Sequence, residues 1–134
     1  MKQFFFPTQD EVELMHVKVI EGTGGSYGLR DAGALESALK AAENRAYYED
    51  APFAVLGATY AFHLSQAHAF IDGNKRIAAV TAELFLEMNG VKLKATNKEI
   101  IELYLDIAAG KISREDVERK FAEWIFFTED DDAK

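Results

Sequence analysis

The sequence contains no cysteine, which excludes a disulfide scaffold, a thiolate zinc site and a cysteine nucleophile and fits the reducing cytoplasm as the expected location. Proline and glycine are sparse, 2 and 9 of 134 residues, so the chain is neither disordered nor fibrous. Positive charge is short as well. With 15 Lys+Arg against 23 Asp+Glu and a formal charge of -8, direct attraction to nucleic-acid phosphates or to an anionic membrane surface is not expected. The N-terminus, Met1-Lys2-Gln3 leading into Phe4, Phe5, Phe6 and Pro7, has no basic region followed by a clean apolar run, and no export signal is read there. Residues 51–71 lack Asp, Glu, Lys and Arg but include Pro52, Gly57, Thr59, His63, Ser65, Gln66 and His68. Those polar groups make a core helix the expectation and a membrane span a poor one.

What is present is helical pattern. The 134 residues, 49% of them hydrophobic, suit one domain with a packed core. Thr8-Gln9-Asp10-Glu11 forms a capping box opening a helix to about Glu21, with Val12, Met15, Val19 and Ile20 on one face. A glycine-rich loop follows over 22–30. Asp31 caps a second helix to about Asn44 carrying Leu35, Ala38, Leu39 and Ala42. Pro52 suits the first turn of a third, central helix to about Ala67, apolar on nearly every side. A fourth runs from about Asn74 to Asn89 with Ile77, Val80, Thr81, Leu84 and Met88 inward. Val91-Lys92-Leu93 reads as a brief extended piece. Thr96 and Glu99 box a fifth helix, and Ser113 with Asp116 a sixth bearing Val117, Phe121, Trp124 and Ile125. The expectation is all-α: one compact bundle of about six helices, with no strand of period two. Residues 1–127 are read as the domain. Residues 128–134, with four acids and one lysine, are read as a solvated, disordered tail.

Capping and solvated helix faces account for most polar residues, but not for His68-Ala69-Phe70-Ile71-Asp72-Gly73-Asn74-Lys75-Arg76. A helix start carries unpaired N–H groups and about half a positive charge, so Lys75 and Arg76 add positive charge where acids belong. An anion bound there removes the conflict, and phosphate is the natural candidate. Gly73 lets the backbone approach such a ligand, and Asn74 offers a donor and an acceptor for the loop or a phosphate oxygen. Asp72 supplies a hard oxygen for Mg²⁺, and His68 an imidazole able to accept a proton near neutral pH. Phe70 is assigned to anchoring the loop in the core. His63 lies five residues before His68, about 140° around a helix, which does not place two imidazoles on one metal; it is read as a packing residue.

The string HAFIDGNKR resembles the signature of the Fic/Doc superfamily, and its Asn-Lys-Arg ending resembles the Doc (death-on-curing) branch, the toxins of bacterial toxin-antitoxin pairs. The similarity extends over roughly residues 8–126. It implies the Fic/Doc fold, with His68 as general base, Asp72 holding Mg²⁺ or positioning substrate, and Gly73, Asn74, Lys75 and Arg76 around the phosphates of ATP. Adenylyl-transferring relatives carry Gly where this chain has Lys75, and a second Arg where it has Ala79. Both departures favour transfer of the γ-phosphate to a protein hydroxyl, with elongation factor Tu as the implied substrate and blocked translation as the result. AMP transfer is the alternative within the enzyme class, and a non-catalytic nucleotide- or partner-binding module the alternative outside it. No Ser or Thr has Glu four places on, so the internal inhibitory motif of many Fic proteins is missing and a separate Phd-type antitoxin is implied as partner.

Overall fold

The computed structural model describes residues 4–128. Six helices and two short strands follow in the order α1 (Gln9–Thr23), α2 (Ala32–Glu49), α3 (Phe53–Ala67), α4 (Asn74–Met88), β1 (Val91–Leu93), α5 (Asn97–Ala108), α6 (Arg114–Trp124) and β2 (Ile125–Phe127). The all-α architecture expected from the pattern is present. All three capping boxes form, Thr8 with Glu11, Thr96 with Glu99 and Ser113 with Asp116, each pairing two backbone donors that a helix start leaves without partners.

Helix α3 is the axis of the bundle, with α2, α4, α5 and α6 packed around it. Tyr60, Leu56 and Leu64 from α3 meet Phe85 and Leu86 from α4, Leu35 from α2 and Phe121 from α6 in one buried cluster. A Cβ on Gly57 would stand 3.1 Å from the Phe121 ring, so a side chain-free position on α3 lets α6 lie close. No helix of the described residues is long and apolar enough to cross a membrane. The uncharged run is spent instead on burying α3.

Several boundaries differ from the sequence reading, each for a reason of packing. Val91–Leu93 is not merely extended: it pairs antiparallel with Ile125–Phe127, Lys92 opposite Phe126. Ile125 therefore leaves the α6 stripe for a strand, and the bundle carries a two-stranded sheet in place of the expected absence of strands. Thr128, placed at the start of the acidic tail, donates from its N–H to Gly90 O at 2.9 Å; the rest of that tail, 129–134, lies outside the described residues. Helix α2 continues past Asn44 to Glu49, where Asp50 closes it in the left-handed region. Arg45 holds that extension, reaching Glu118 Oε2 at 2.7 Å on α6 and Thr59 Oγ1 at 3.1 Å on α3. Pro52 is the cap residue before α3 rather than its first turn. On α4 the inward face is rotated, with Phe85 and Leu86 buried and Val80 36% exposed. On α1 the buried line is Val12, His16 and Ile20, strict i, i+4, i+8 spacing that includes a histidine.

Candidate active site

Helix α3 ends at His68, whose φ of 49° and ψ of 42° put a non-glycine residue in the left-handed region. This conformation turns the chain out of the core and leaves the His68 side chain exposed while Ala69 and Phe70 dive back in, 1% and 3% exposed. Such backbone costs on the order of 1–3 kcal/mol and persists where surrounding contacts enforce it. Here they are explicit. Phe70 N–H donates to Asn74 Oδ1 at 3.0 Å and Asn74 Nδ2 donates to Phe70 O at 2.9 Å, closing the loop on itself. Phe70 anchors it in the core, as the sequence suggested.

Gly73, with φ +75°, then starts α4 without any side-chain cap. Ile77 N–H makes the first helical bond, to Gly73 O at 2.9 Å, so the N–H groups of Asn74, Lys75 and Arg76 are the open donors of that end. His68, Asp72, Gly73, Asn74, Lys75 and Arg76 all line one cleft of about 230 Å³, completed by Ser65, Ile71 and Ala108. The structure thus brings together every residue that the sequence assigns to the chemistry. It also separates their tasks: both polar atoms of the Asn74 amide are used on Phe70, which leaves its backbone N–H for a ligand.

The glycine-rich loop lies across this site, an arrangement the motif alone does not disclose. Ile71 N–H donates to Gly28 O at 3.0 Å, and the N–H groups of Arg30 and Asp31 donate to Ala69 O at 2.7 and 2.9 Å. Ser26 N–H donates to Asp72 Oδ2 at 3.1 Å, and Gly73 N–H to Asp72 Oδ1 at 2.8 Å. These two donors, with Arg76 adding to them, hold the Asp72 carboxyl below its ordinary range, because both bonds are stronger to the charged form. Arg76 Nη1 donates to Thr23 Oγ1 and, at 3.3 Å, to Gly24 O. From α1, the His16 ring reaches Asp72 O at 2.7 Å and stacks on Phe70 with centroids 3.9 Å apart. Neither His16 nor the loop donors stood out in the sequence. The available signal was His16 itself, a polar residue between Val12 and Ile20 on an apolar stripe.

A second cleft, about 210 Å³ and lined by Ala79, Ile100, Ile101, Tyr104 and Leu105, meets the first at Lys75 and Arg76. Its wall is apolar, and Ile101 and Leu105 are more than half exposed. Helices α3 and α6 commit their apolar faces to the core. His63, half-buried on α3, stands near Arg114 and Arg45, and burial first, then those two cations, lowers its pKa. It takes no part in the cleft.

The chain is 33% identical over 105 residues, 78% of its length and 82% of the relative's, to the protein kinase doc of Escherichia phage P1. It is 38% identical over 74 residues, 54% of its length and 57% of the relative's, to toxin Doc of Mycolicibacterium smegmatis. The Fic/DOC family model matches residues 6–86, the span that holds α1, the glycine-rich loop, α3 and the cleft at the start of α4, and the chain belongs to that family.

Proposed function

We propose that this chain is a Doc-type toxin that transfers the γ-phosphate of ATP to a hydroxyl of a translation factor of the elongation factor Tu class in the cytoplasm, and that a Phd-type antitoxin restrains it. The observation that carries this reading is one cleft holding an exposed imidazole, a lone carboxylate and an uncapped, twice-cationic helix start. His68 accepts the proton of the attacking hydroxyl as its oxygen bonds to the γ-phosphorus. The bond from that phosphorus to the bridging oxygen breaks, its electron pair leaves with ADP, and His68 passes the proton to solvent. Lys75, Arg76 and the open N–H groups of α4 hold the phosphate oxygens. Gly73, in the left-handed region, makes the turn that presents those N–H groups, and its missing side chain leaves room for Ile20 and His16 of α1.

Asp72 is the candidate Mg²⁺ ligand. Among the described residues no three His, Asp or Glu side chains converge on a possible metal position, and one carboxylate beside a phosphate cradle fits an ion that takes its other ligands from water and nucleotide. The ion would neutralise charge on the phosphates. Lys75, and Ala79 facing the apolar cleft, support phosphoryl over AMP transfer, since the chain has no second arginine at that place on α4. That apolar cleft is also where a partner helix can bury an apolar face beside the cationic pair. Expression in bacteria tests the reading: the wild-type chain arrests growth, His68→Ala does not, and co-expression of its antitoxin restores growth. A wild-type chain that is harmless without any partner overturns it in favour of a binding module.

A further inference from the structure

Helix α1 contributes no group to the proposed chemistry, yet it makes the closest hold on the peptide that links Asp72 to Gly73. The His16 ring is 2% exposed and lies parallel to Phe70, 12° from coplanar. Its Nε2 is 2.7 Å from Asp72 O, 56 positions along the chain. A carbonyl oxygen only accepts, so Nε2 carries the hydrogen and donates. The other end of the same peptide plane, Gly73 N–H, donates to Asp72 Oδ1 at 2.8 Å. The plane is pinned at both ends. It is also tightly packed: a Cβ at Gly73 would lie 3.1 Å from Ile20 Cδ1 and 3.6 Å from His16 Nε2, both on α1.

From this geometry we infer that His16 is a positioning residue for the transfer reaction: by fixing the Asp72–Gly73 peptide it sets where the Asp72 carboxylate and the first free N–H groups of α4 point. The inference rests on the function proposed above. A buried apolar side chain at position 16 would fill the same space against Phe70, and only a donor can hold the carbonyl. Once that carbonyl loses its partner, the peptide rotates to find another, because a half-buried acceptor is costly to leave unpaired. That rotation moves Asp72 and the start of α4 together. The site keeps its residues and loses its aim, a displacement of the kind that costs catalysis more than it costs the fold.

Two variants separate aim from packing. His16→Phe keeps the ring and its stack but has no donor; His16→Gln keeps a donor at similar reach. The full-length chain is compared for melting temperature, for kcat, KM and Mg²⁺ requirement in phosphoryl transfer, and for binding of ATP by calorimetry with and without Mg²⁺. His16→Phe is expected to stay folded, to lose about 10- to 100-fold in kcat, to need more Mg²⁺ and to lose the Mg²⁺-dependent part of its ATP affinity, while His16→Gln recovers most of each. Wild-type kcat, Mg²⁺ requirement and binding in a folded His16→Phe overturn the inference, as does a His16→Gln as impaired as His16→Phe. Should His16→Phe not fold, His16→Asn, with a donor too short to reach, takes its place, and wild-type kcat there overturns it equally. If the wild-type chain transfers nothing, it is the proposed function that fails. The calorimetry then decides the inference alone: unchanged Mg²⁺-dependent binding in His16→Phe overturns it.

Discussion

Gly24 and Gly25 both have positive φ, +83° and +117°, and replacing each with alanine distinguishes a strained loop from a damaged site. In either variant the side chain forces an L-residue into backbone it rarely adopts, at about 1–3 kcal/mol. For a domain of this size that corresponds to a fall of roughly 3–15 °C in melting temperature. The surroundings then diverge. A Cβ at Gly24 has nothing within 4 Å, whereas one at Gly25 stands 2.5 Å from Asp72 Oδ2, 3.2 Å from its Cγ and 3.3 Å from Ile20 Cδ1. Asp72 must swing away, and it loses the Ser26 N–H that orients it. Gly25→Ala is therefore expected to lose about 10- to 100-fold in transfer rate and to need more Mg²⁺, measured below its melting transition. Gly24→Ala should stay within about twofold of wild type at the same folded fraction, as substitutions into open space do. The assay is circular dichroism melting followed by initial rates across a Mg²⁺ titration. Equal rates and equal Mg²⁺ requirement in the two variants would refute the argument that loop and motif share Asp72.

Lys75→Ala and Arg76→Ala should each weaken ATP binding by about 1.5–3 kcal/mol, a rise of roughly 10- to 150-fold in Kd by calorimetry, the worth of a charge-assisted contact to phosphate; unchanged affinity in both would mean that the phosphates lie elsewhere. Asn74→Ala removes both hydrogen bonds to Phe70 and should cost about 2–4 kcal/mol in denaturant unfolding, with a wild-type midpoint as the contrary result. His63 provides a pH test. Its pKa is lowered from 6.5 in the folded chain, so the unfolded chain binds the extra proton first: stability is full above that value, falls as pH drops through it, and levels off below the lowered folded value. His63→Gln should flatten that part of the melting curve against pH, and an unchanged slope would show that another group is responsible.

The capping boxes of Thr8, Thr96 and Ser113 were legible because a cap is a matter of four consecutive residues, and the face of α2 because period and burial agree along one helix. Strand β2 was not. Its three residues are too few to show a period, and its partner β1 ends 32 positions before it begins, so nothing local marks the pairing. The extension of α2 to Glu49 was hidden for a related reason, since Arg45 is held by Thr59 and Glu118 on other helices. The same division applies to the site. His68, Asp72, Gly73, Asn74, Lys75 and Arg76 fall within nine residues and could be read together. The contacts from Thr23, Gly24, Ser26 and His16 cross more than forty positions and leave no trace in spacing. Asn74 shows the limit of residue type: an amide suits a phosphate or a loop, and only the geometry assigns its side chain to Phe70.

The fate of the label from ATP separates phosphoryl transfer from its alternatives. The purified chain is incubated with elongation factor Tu and Mg²⁺, with either [γ-³²P]ATP or [α-³²P]ATP, and the protein-bound label is counted for wild type and His68→Ala. Label is expected on the acceptor protein from the γ position only, with a loss of about 10²- to 10⁴-fold in rate in His68→Ala, the size of a general base's contribution, and ATP binding by that variant nearly unchanged. Label from the α position would establish AMP transfer instead, and label from neither, or equal label with and without His68, would contradict the assignment of this cleft to phosphoryl transfer.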